Sequence, residues 1–91
     1  MLDYSFFATR LEESFQVGAG PLRVKVVACE KLTAHPGGRI DPYAVHFLGP
    51  ANPVLPQQIY TLSSDESGAF DIFLVPVERK AEGLLYEAVF N

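Results

Sequence analysis

From Ser14 to its end the chain carries apolar residues at every second position, in short runs that glycine, proline or acidic residues cut off. Neighbouring side chains on a β-strand point to opposite faces, so this period builds strands with one dry and one wet side. The clearest run spans 22–30, with Leu22, Val24, Val26 and Ala28 on one face and Arg23 and Lys25 on the other. The same reading predicts strands at 14–17, 43–48, 58–63, 69–77 and 84–90. In the run 69–77, Phe70, Ile72 and Leu74 share one face while Phe73, Val75 and Val77 load the other, so its second half is expected to be covered on both sides.

The segments between these runs cannot join them into regular structure. Gly18-Ala19-Gly20-Pro21 suits a hairpin loop, and the two prolines and paired glycines of 34–42 suit a longer one. Three prolines at positions 50, 53 and 56 exclude a helix or an interior strand there. Ahead of the strands, residues 4, 7, 8 and 11 are apolar at the spacing of one helical face, which predicts a short helix over 4–11 capped by Asp3 or Ser5. A helix of two turns is unstable alone in water, so Phe7 and Leu11 are expected to lie on the sheet.

Six strands with short connections, and no helix long enough for a parallel crossover, imply antiparallel neighbours. The expected fold is mostly β: one domain over 1–91, a small antiparallel six-stranded meander closing into a barrel or compact sandwich. The short N-terminal helix would plug an open end or edge.

Charge and cysteine content narrow the functions. Seven Lys and Arg against eleven Asp and Glu give a net charge of −4, and the basic residues are scattered, so neither nucleic acid nor an anionic membrane is an expected partner. The single cysteine, Cys29, cannot form an internal disulfide and suits a reducing compartment. With no export signal or spanning segment legible, the expected location is the cytoplasm.

Each possible site has a plainer reading. His35 falls in a loop and His46 on the outer side of a strand, neither with ligands at metal-binding spacing. Asp65, Glu66 and Asp71 bracket a glycine turn but lack the alternating oxygens of a calcium loop. Glu12, Glu13, Glu30, Asp41, Glu78, Glu82 and Glu87 read as turn or solvent-facing carboxylates. The glycine pairs do not sit between a strand and a helix N-terminus, where amides would converge on a phosphate. No catalytic residue, cofactor or metal site is therefore expected. The segment that stands out is Pro53, Val54, Leu55, Pro56 and Gln57, because Val54 and Leu55 are apolar in a connection that ought to be wet. Either they fold back over the open end of the sheet or they meet a partner.

Several stretches together resemble a family of short bacterial proteins known only as a domain of unknown function. They are Phe6-Phe7 leading to Phe15, Phe47-Leu48-Gly49-Pro50 followed by Leu55-Pro56-Gln57 and Tyr60, Gly68, Phe73-Leu74-Val75-Pro76, and the closing Tyr86-Glu87-Ala88-Val89-Phe90-Asn91. The resemblance runs nearly end to end and is most specific in the closing motif. Members of this family often sit beside proteins resembling phage tail-collar or tail-fibre components, so the resemblance implies an accessory role in a tail-like assembly. It implies no catalytic or ligand-binding residues.

Three functions follow in descending order. The first is a non-enzymatic structural or interaction module that docks on a protein partner or a second copy of itself, through a sheet edge or the 53–57 loop. The second is a small-molecule-binding mini-barrel with the hydroxyls of Tyr43, Tyr60 and Tyr86 around an apolar cavity. The third is an enzyme using Cys29 with His46.

Overall fold

The computed structural model describes residues 2–91. Asp3 opens helix α1 (Tyr4–Ala8) by accepting a hydrogen bond from the Phe6 amide, 2.8 Å away. The helix is shorter than the expected 4–11 because the chain reverses directly after it. The Glu13 amide donates to the Arg10 carbonyl, and Glu12 takes a left-handed φ of 74°. Leu11 rides on this turn and is 51% exposed, so Phe7 alone of the expected pair lies on the sheet.

Six strands follow: β1 (Ser14–Val17), β2 (Arg23–Lys31), β3 (Tyr43–Gly49), β4 (Gln58–Ser64), β5 (Gly68–Lys80) and β6 (Gly83–Phe90). All their pairings are antiparallel, and they close into a ring in the order β1-β2-β3-β6-β5-β4. The meander thus runs in two three-stranded arms, β1 to β3 and β4 to β6. Pairing of β3 with β6 and of β1 with β4 seals the arms together, and the proline-rich connection from β3 to β4 crosses one end. Closure removes most of the exposed edge that a six-stranded open sheet would present.

Two bulges aim the faces. Between Val26 and Ala28 the register of β2 against β3 slips by one residue. Val24 and Val26 point inward as the alternation predicts, but beyond the slip Cys29 packs toward the core and Ala28 is exposed. In β5 the slip lies between Pro76 and Glu78. Proline has no amide to donate, and a bulge is one of the few places where a paired strand tolerates it. This strand pairs with β4 over its first half and with β6 over its second. At the β5–β6 hairpin, Gly83 has φ 151° and lies against the Gly49 carbonyl, where a β-carbon would collide.

The interior is filled by side chains. Phe15, Val24, Val26, Tyr43, Val45, Phe47, Leu62, Leu74 and Tyr86 are all essentially buried. Phe7 plugs one end as expected, packing against Tyr43, Phe47, Phe70 and Phe90 at ring-centre separations of 5.8–6.2 Å. Aromatic edges meeting faces at such distances add to the gain from area burial alone. Tyr43 and Phe90, opposite one another on β3 and β6, stack at 4.5 Å beneath the plug.

Candidate functional site

The 53–57 loop is split, with Leu55 folded back on the core and its neighbours left exposed. Leu55 is half-buried and packs against the core, with its amide donating to the Tyr86 hydroxyl at 2.8 Å. The Tyr60 hydroxyl donates to the Pro56 carbonyl, so two core-facing tyrosines hold the loop across the end opposite the plug. Val54 points away and is 43% exposed, and Pro53, Pro56 and Gln57 are exposed beside it.

The larger exposed apolar surface lies on the outer face of β4 and β5. Ile59 is 66% exposed and sits directly opposite Phe73, which is 48% exposed. Val75 follows on the same face of β5, half-buried, and Val77 projects from the bulge, exposed. Within one chain, therefore, the second half of β5 is not covered on both sides, contrary to the expectation from its pattern. Scattered exposed apolar residues are ordinary, but a cross-strand pair of this size continued along the strand forms a patch. Thr61 and Asp71, joined by a 2.6 Å hydrogen bond, adjoin it as a polar border.

The tyrosines proposed for a ligand cavity do not surround one. Tyr43 and Tyr86 are core residues, and Tyr60 and Tyr86 spend hydroxyl contacts on the loop. The Tyr43 hydroxyl is buried and makes no hydrogen bond among the described residues. Burial pushes its pKa up to about 12, with nearby Arg39 opposing the rise and Asp3 and Cys29 adding to it. The Tyr60 phenol is also raised, first by burial and then by Tyr86. Clefts of about 200 Å³ beside Asp3, Lys31 and Asp41, and about 320 Å³ beside His35 and Arg39, lie on the surface and are lined by none of the three tyrosines.

Cys29 and His46 are on opposite faces. The thiol packs inward beside the Tyr4 carbonyl, and its pKa is raised by burial and then by the Glu30 charge. A raised pKa leaves less thiolate to act as a nucleophile. His46 points outward and pairs with Glu87 on the adjoining strand, Nε2 to Oε2 3.0 Å. Among the described residues no three His, Cys, Asp or Glu side chains converge as metal ligands. No helix among them is long and apolar enough to cross a membrane.

Sequence reasoning missed one polar cluster. Glu13, read as solvent-facing, is half-buried and accepts from the hydroxyls of Ser64 and Ser67, each at 2.7 Å. Arg10 donates from Nε to the Ser67 hydroxyl and from Nη1 to the Phe6 carbonyl, both at 2.8 Å, and lies over the Phe6 ring. What the cluster does is bind the plug segment to the β4–β5 turn. Nothing in the spacing of residues 10, 13, 64 and 67 signals it, because only ring closure brings them together.

Residues 2–90 match one family model, Domain of unknown function (DUF6916), and the chain belongs to that family. No protein of curated function and no solved structure matches it.

Proposed function

We propose that this member of the DUF6916 family is a non-enzymatic structural or interaction module of the cytoplasm, docking on a protein partner through the outer face of β4 and β5. The observation that carries the proposal is the exposed Ile59–Phe73 pair, continued by Val77, on a chain whose interior is otherwise full. Apolar area taken from water on docking contributes roughly 25 cal/mol per Å², and aromatic anchors dominate such surfaces. The exposed part of the 53–57 loop, Val54 above all, is the second candidate contact.

The finer reading is an accessory to a phage-tail-like assembly. It rests on the resemblance of the closing motif, residues 86–91, and of the stretches before it. A ring of strands paired on every side, with an exposed apolar face, suits a part that is added to a larger structure, since strands already ordered lose little conformational entropy on docking.

The test is affinity capture from a native host with tagged wild type and an Ile59→Ser/Phe73→Ser double variant. Retention of the same stoichiometric protein by wild type and its loss by a folded double variant supports the proposal. An identical set of proteins on both, or none on either, contradicts it.

A further inference from the structure

We draw no further inference here: the strongest candidate, the exposed apolar run of Ile59, Phe73 and Val77 on the outer face of β4 and β5, is the surface already proposed for docking, and nothing in the structure shows whether a second copy, an extended peptide or another protein covers it.

Discussion

The Leu55 amide donates to the Tyr86 hydroxyl at 2.8 Å, so a residue of the last strand fastens the proline-rich connection across one end of the ring. The Tyr86 ring is core, and its polar tip serves a loop that would otherwise bury an unpaired amide. Tyr86→Phe keeps the ring and removes the acceptor. It is expected to lower stability by about 1–2 kcal/mol in urea unfolding and to speed amide exchange at Leu55. Unchanged exchange there would show that the bond does not hold the loop.

Phe7 and Leu11 looked equivalent in the helical spacing, and the turn at 10–13 separates them. Phe7→Ala empties a site among five aromatic rings and is expected to cost about 3–5 kcal/mol. Leu11→Ala, at an exposed position, is expected to change stability by less than about 0.5 kcal/mol. Equal losses from the two would mean that the helix continues to residue 11.

Glu12 holds a left-handed φ of 74° that glycine adopts without steric cost. Its carboxylate reaches Lys25 Nζ at 3.2 Å, an exposed pair of small energetic weight. Glu12→Gly is therefore expected to raise stability slightly, by up to about 1 kcal/mol, with the greater flexibility of the unfolded chain offsetting part of the gain. A β-branched residue at the same place, as in Glu12→Val, is expected to destabilise. Thermal melts of the two variants moving in the same direction would contradict the strained turn.

The buried Tyr43 phenol makes a prediction in alkali. Its pKa is raised to about 12 in the folded state against about 10 in the unfolded chain, so the unfolded state loses its proton first as pH rises. The stability this group contributes is complete below about pH 10 and is lost progressively as pH approaches 12. Tyr43→Phe removes both the titration and a buried hydroxyl without a partner. It is expected to be at least as stable as wild type at neutral pH and to lose less stability between about pH 10 and 12. Parallel stability profiles for the two proteins would overturn the assignment.

The sequence carried the element order and most of the inward faces, because period-two alternation is a local signal and each strand shows it alone. It failed where non-local geometry decides. Ala28 and Cys29 exchanged faces because the slip in β2 is set by its partner β3, and no residue type announces it. The outer row of β5 read as covered because pattern alone cannot distinguish burial within a chain from burial against a partner. Phe73 and Val77 are apolar at such positions, and in this chain they meet solvent. The polar cluster of Arg10, Glu13, Ser64 and Ser67 was equally illegible, its two halves lying more than fifty positions apart in sequence until β4 closes on β1. Of the two alternatives for the loop, Leu55 takes the first and folds back on the core, while Val54 stays exposed.

Hydrogen–deuterium exchange of the free chain, and of the same chain with any partner it captures, tests the proposed docking face most directly. Slower exchange on assembly, concentrated at residues 58–61 and 71–77, is the predicted result. Slowing confined to α1 or to the 33–42 loop, with β4 and β5 unchanged, would contradict it.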